Sequence, residues 1–102
     1  MLLNEEDLVI LRERCKSFKI KKLYLFDSAL SDNYNTESDI DLIVDFRDYE
    51  PLNYFDNYYN LKNFLISHFN RKIDLLESRS ISNSNFMNEI YKNKYLVYEY
   101  QN

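Results

Sequence analysis

Apolar residues change their spacing several times along the chain, and each change marks a predicted element. Leu8, Leu11 and Cys15 recur at helical spacing, with Ile10 beside them and Arg12, Glu13 and Lys16 polar. The pattern predicts a helix over about 5–18, with Asn4 as its cap and Glu5, Glu6 and Asp7 in its first turn. A short aromatic and aliphatic run over 23–26 suits a strand, and the polar stretch 28–35 suits a turn and a short helix. The strongest strand signal runs over 40–46. Ile40, Leu42, Val44 and Phe46 fall on one face, and Asp39, Asp41, Ile43 and Asp45 on the other. After Pro51 an aromatic segment over about 52–69 has helical length, and 71–77 reads as a strand with Ile73 and Leu75 opposed to Lys72, Asp74 and Leu76. A Ser/Asn-rich turn over 78–85, a short helix over 85–93 and a small strand or ordered tail over 95–100 complete the pattern. The expected fold class is α+β, a mixed sheet packed with helices in a single domain over 1–102, without linker or repeat.

Composition narrows the options. Apolar residues at 45% and charged residues at 29% are a globular balance. Seventeen acids against thirteen Lys plus Arg leave a net charge of -4, which argues against wrapping a nucleic-acid backbone. A nucleoside triphosphate stays compatible, because bound metal ions reverse the local charge. The single Cys15 excludes an internal disulfide framework and reads as a small core residue. No basic leader precedes an apolar run, and no stretch approaches the ~20 apolar residues of a membrane span, so cytoplasmic residence is the default expectation. Glycine is absent, so sharp turns are expected at Asn, Asp, Ser or Pro51.

Asp39 and Asp41 stand two apart, so in a strand both carboxylates leave one face. Paired carboxylates repel one another and resist burial, whereas a hard divalent cation accepts both. Asp74, on the next predicted strand, joins them if the two strands are neighbours. Three such carboxylates suit two Mg²⁺ ions. In the alternative, Asp39 caps a turn, Asp41 faces solvent and Asp74 pairs with Arg71 or Lys72. Spacing alone leaves both open.

Asp27-Ser28, ten residues, then Asp39-Ile40-Asp41-Leu42-Ile43-Val44, and later Lys72-Ile73-Asp74-Leu75-Leu76, resembles the nucleotidyltransferase superfamily related to DNA polymerase beta. The resemblance is greatest to its minimal bacterial members, the MNT-domain antitoxins encoded beside HEPN-domain ribonuclease toxins. It covers about residues 5–100. It implies the minimal polymerase-beta-like fold, metal binding and catalysis by Asp39, Asp41 and Asp74, and a phosphate contact at Ser28. It also implies Mg²⁺, ATP as substrate, and transfer of AMP to a tyrosine of a HEPN toxin, with which the chain would form a hetero-oligomer. Neither direct nucleic-acid binding nor a membrane is implied.

The sequence departs from that pattern at Asp27, where the family has glycine, and shows Leu30-Ser31-Asp32 where an Arg-Gly is usual. A carboxylate near a phosphate loop and a missing guanidinium both weaken triphosphate binding. Either Asp27 turns away or helps to hold a metal, or the protein neutralises its partner by binding alone. Transfer to a small hydroxyl compound is a third reading.

His68 near the end of the second predicted helix reads as structural or surface, because one imidazole without a constellation is weak evidence for catalysis. Tyr54, Tyr58, Tyr59, Phe55 and Phe64 read as packing before base stacking. Tyr91, Tyr95, Tyr98 and Tyr100 suit either core or interface. Lys19, Lys21 and Lys22 read as a solvated face.

Overall fold

Asn4 opens the first helix as its side chain predicts. Its carboxamide oxygen accepts the Asp7 N–H at 2.8 Å, and the Asp7 carboxylate accepts the Asn4 N–H at 3.3 Å, so each residue satisfies an end group of the other. The computed structural model describes residues 3–26, 40–80 and 94–101. Within them α1 spans Glu5–Ser17, β1 Ile20–Phe26, β2 Ile40–Phe46, α2 Pro51–Phe69, β3 Ile73–Glu77 and β4 Lys94–Glu99, with a 3-10 turn at Ser78–Ser80 after β3. The predicted turn and helix over 28–35, the helix over 85–93 and most of the 78–85 turn lie outside the described residues.

The strands form one mixed sheet in the order β3-β2-β1-β4. β2 and β3 are parallel, which requires a crossover, and α2 supplies it. β1 pairs antiparallel with both β2 and β4. The alternation predicted for β2 and β3 holds: Ile40, Leu42, Val44, Phe46, Ile73 and Leu75 are buried in one cluster with Leu8, Leu11 and Cys15 of α1 and Leu61 and Leu65 of α2. Both described helices therefore cover the same face of the sheet.

Element ends differ from the sequence reading where tertiary partners intervene. β1 begins at Ile20 because Ile20 pairs with Phe46, although Lys21 and Lys22 break the apolar run. Lys19, not Asn, Asp or Ser, takes a left-handed backbone (φ 57°) in the turn before it. That conformation costs about 1–2 kcal/mol for a residue with a side chain. The Arg47 N–H holds it by donating to the Lys19 carbonyl at 2.8 Å. Pro51 is the first residue of α2 rather than a break before it, since proline lacks the N–H that a helix start leaves unused. Asn70 closes α2 in the left-handed region (φ 53°), its N–H bonded to the Ile66 carbonyl at 2.8 Å.

Long side chains from the helices reach the two outer strands of the described sheet. Arg12 Nε donates to the Val97 carbonyl on β4 at 2.9 Å, and the Tyr58 hydroxyl donates to the Leu75 carbonyl on β3 at 2.8 Å. Such contacts occupy edge groups that otherwise invite pairing with another chain. His68 Nε2 lies 2.9 Å from Asp7 Oδ1 and ties the end of α2 to the start of α1, the structural role expected of it. Tyr54, Tyr58 and Phe64 pack against the core, whereas Phe55 and Tyr59 are exposed. Lys19 and Lys21 are exposed, and Lys22 pairs with Glu99 at 3.7 Å. No helix among the described residues is long and apolar enough to cross a membrane.

Cys15 has no exposed surface, and burial pushes its thiol up to about 12. The neutral thiol is a poor nucleophile. Native protein treated with iodoacetamide at neutral pH is expected to stay unlabelled, and protein in strong denaturant to be alkylated fully. Rapid labelling without denaturant would remove Cys15 from the core.

Candidate active site

The face of the sheet away from α1 and α2 carries Asp41 and Asp74, two of the predicted acids. In the parallel pair Asp41 is the register partner of Asp74, as Ile40 is of Ile73 and Leu42 of Leu75. Because the flanking residues point into the core, both carboxylates leave the opposite face. Neighbouring strands lie about 4.8 Å apart. Asp41 is half-buried and Asp74 exposed, so solvent reaches the pair. Asp39 and Ser28, like Asp27, lie outside the described residues. Among the described residues two of the three predicted carboxylates come together, and no third acid joins them.

The other acids of this region are engaged elsewhere. Asp45 leaves the same face as Asp41 but accepts a hydrogen bond from the Tyr49 hydroxyl, which also accepts the Phe46 N–H at 3.1 Å. Burial first, and then the bond to Asp45, push the Tyr49 hydroxyl up to about 12. Glu77 accepts from the Tyr54 hydroxyl and forms an ion pair with Arg79, whose guanidinium lies over the Tyr49 ring at 3.8 Å. Burial first, and then that bond, also push the Tyr54 hydroxyl up. Tyr58 is raised mainly by burial, with smaller contributions from Tyr59 and Asp74.

Two facing carboxylates on adjacent strands repel each other when nothing lies between them. Oxygen donors at this spacing, reachable from water, suit a hard divalent cation such as Mg²⁺. The sheet beyond them is apolar. Ile43 is buried, with Tyr24 and Leu76 packed against it, and forms a floor under this face. Across the next strand Asp41 pairs with Phe26, the residue that the chain follows directly with Asp27-Ser28. Strand register therefore leads from the carboxylate pair to the start of the loop whose motif suggests a phosphate contact.

A polar cavity of about 280 Å³ opens at the other end of β2, lined by Ser17, Lys19, Asp48, Asn53, Asp56 and Asn57. Asp48 there accepts hydrogen bonds from Glu50 N at 2.9 Å and Asn53 Nδ2 at 3.0 Å, which shapes the entry into α2. The cavity does not adjoin the carboxylates.

The model of the polymerase beta nucleotidyltransferase family matches residues 4–102, nearly the whole chain. The chain belongs to that family. Among solved structures, this chain is similar to a toxin–antitoxin crystallised with AMP-PNP, at 22% identity and a TM-score of 0.68 over 96% of this chain and 76% of the other. A candidate minimal nucleotidyltransferase matches with a TM-score of 0.72 at 17% identity over 88% of both chains. A chain from the complex of tri-AMPylated Shewanella oneidensis HEPN toxin with MNT antitoxin matches at 18% identity and a TM-score of 0.56, over 91% of this chain and 73% of that one. No curated relative matches the sequence. At these identities the structures establish the minimal nucleotidyltransferase fold, with two described helices on a four-stranded mixed sheet.

Proposed function

We propose that this member of the family is an antitoxin that transfers AMP from ATP to a tyrosine hydroxyl of a HEPN-domain ribonuclease toxin. The observation that supports the reading is the registered pair of carboxylates on β2 and β3, Asp41 beside Asp74, next to the strand that runs into Asp27-Ser28. Asp39, Asp41 and Asp74 would hold Mg²⁺, which when bound supplies Lewis acidity at the phosphate oxygens. The Ser28 loop would receive the phosphates. In the reaction the tyrosine oxygen forms a bond to the α-phosphorus, the bond from that phosphorus to the bridging oxygen breaks, pyrophosphate leaves, and the phenolic proton passes to solvent. The acceptor would bring its own binding surface.

A second reading, neutralisation by binding alone, is favoured by one surface feature. Leu52, Phe55, Tyr59 and Ile66 lie exposed along α2, an apolar stripe of the kind that protein partners cover. Asp27 in place of glycine favours it too. The two are separated by incubating the protein with Mg²⁺, labelled ATP and the toxin encoded beside it. Label on the toxin, increased by Asp27→Gly through removal of a charge from the phosphate loop, is the result expected for transfer. A tight complex with no label from either form would leave binding alone.

A further inference from the structure

One cation lies in the same row of the sheet as the carboxylates. Phe26 is the register partner of Asp41 on one side and of Lys94 on the other. Residues opposite one another in neighbouring strands share a face. Lys94 at the start of β4 therefore stands on the acid-bearing face. It lies two strands from Asp41, about 10 Å away at ordinary strand spacing. The next row agrees with this placement. Leu96, opposite Tyr24, is exposed, while Tyr95, opposite Leu25, packs against the core. The Lys94 ammonium sits 4.6 Å from the centre of the Tyr24 ring, so its position on this face is fixed by a cation–π contact.

This deepens, and rests on, the nucleotidyl-transfer reading: we propose that Lys94 binds the β- and γ-phosphates of the nucleoside triphosphate. Carboxylates and any cations they hold attract a triphosphate at one end of the row. Its far phosphates still carry negative charge beyond them. The phosphate loop of this chain carries Asp27, and the usual arginine is replaced by Leu30-Ser31-Asp32, so the loop adds no positive charge. Lysine is a long, flexible point charge that serves phosphates without requiring two-point geometry. Lys22 shares the face but stands opposite Asp45, two same-face rows from Asp41. Lys94 adjoins the residue from which the loop departs, which gives it the shorter approach. A triphosphate lying across Phe26 would meet carboxylates on one side and this ammonium on the other.

The test is binding of ATP, ADP and AMP, each with Mg²⁺, to the full chain and to Lys94→Ala, Lys94→Arg and Lys16→Ala variants, followed by transfer kinetics. Lys16 lies on α1, exposed and paired with Glu13, so its loss matches the change in net charge away from the site. The expected result for Lys94→Ala is a loss of ATP affinity of about tenfold, little change for AMP, and a KM effect larger than the kcat effect. Lys94→Arg should retain most of the affinity, and Lys16→Ala all of it. Thermal unfolding of each variant without ligand should match the parent chain. Equal ATP affinity in Lys94→Ala and the parent would overturn the assignment while leaving nucleotidyl transfer intact. A parent chain that binds no nucleotide would remove the transfer reading, and this role of Lys94 with it.

Discussion

Asp41→Asn is expected to remove transfer of the labelled nucleotide while leaving the protein folded. Asparagine keeps the shape of the side chain and loses the charge, so the pair with Asp74 can no longer compensate a divalent cation. Loss of an electrostatic group from such a site costs about a hundredfold in rate or more. Folding should be affected far less than activity, because asparagine fills the same space on a strand face that solvent reaches. Without metal the variant should melt within a few degrees of the parent. Mg²⁺ with nucleotide should raise the parent's melting temperature by mass action, and should fail to raise that of Asp41→Asn. Full transfer by Asp41→Asn would end the case for a carboxylate site on β2 and β3.

Phe46→Ala is the substitution expected to damage the fold most. Phe46 is 1% exposed and closes the core at the end of β2 away from Asp41. Its ring meets the edges of Tyr49 and Tyr54, with centroids at 6.4 and 5.3 Å and planes near perpendicular. Truncation of a buried phenylalanine costs about 3–5 kcal/mol through lost burial and the cavity left behind. Small domains are stable by only about 5–15 kcal/mol, so the variant should lose a fifth of its stability or more. Urea denaturation followed by far-UV circular dichroism should show an earlier midpoint with an unchanged slope. A loss below 1 kcal/mol would mean that this end of the sheet refills the space and that Phe46 is not a keystone of the core. Because the substitution lies at the opposite end of β2 from the carboxylates, transfer per folded molecule should persist where the variant remains folded.

Much of this arrangement is legible in the amino-acid sequence. The alternation in Ile40-Asp41-Leu42-Ile43-Val44 identified both the strand and the face each residue takes, because side chains in a strand alternate whatever lies beside it. The helical spacing of Leu8, Leu11 and Cys15, and the capping potential of Asn4, were equally local. Ile43 reads differently. Alternation placed it on the face of the acids, and only the neighbouring strands bury it there between Tyr24 and Leu76, since three strands contribute apolar residues to that row. The left-handed Lys19 was hidden as well, because its carbonyl is held by Arg47, a residue far along the chain.

By itself the amino-acid sequence determined which segments extend, which coil, and which face of each strand is acidic, all of which follow from nearest-neighbour periodicity and backbone sterics. It also carried the Asp-x-Asp and Lys-Ile-Asp motifs on which the resemblance to the nucleotidyltransferases rests. Only the tertiary structure decided that β2 and β3 are parallel neighbours in a register that sets Asp41 beside Asp74, and that β4 brings Lys94 into the same row. Strand order and register are settled by long-range backbone pairing and by the helices packed on one face, neither of which is written in any local stretch of residues.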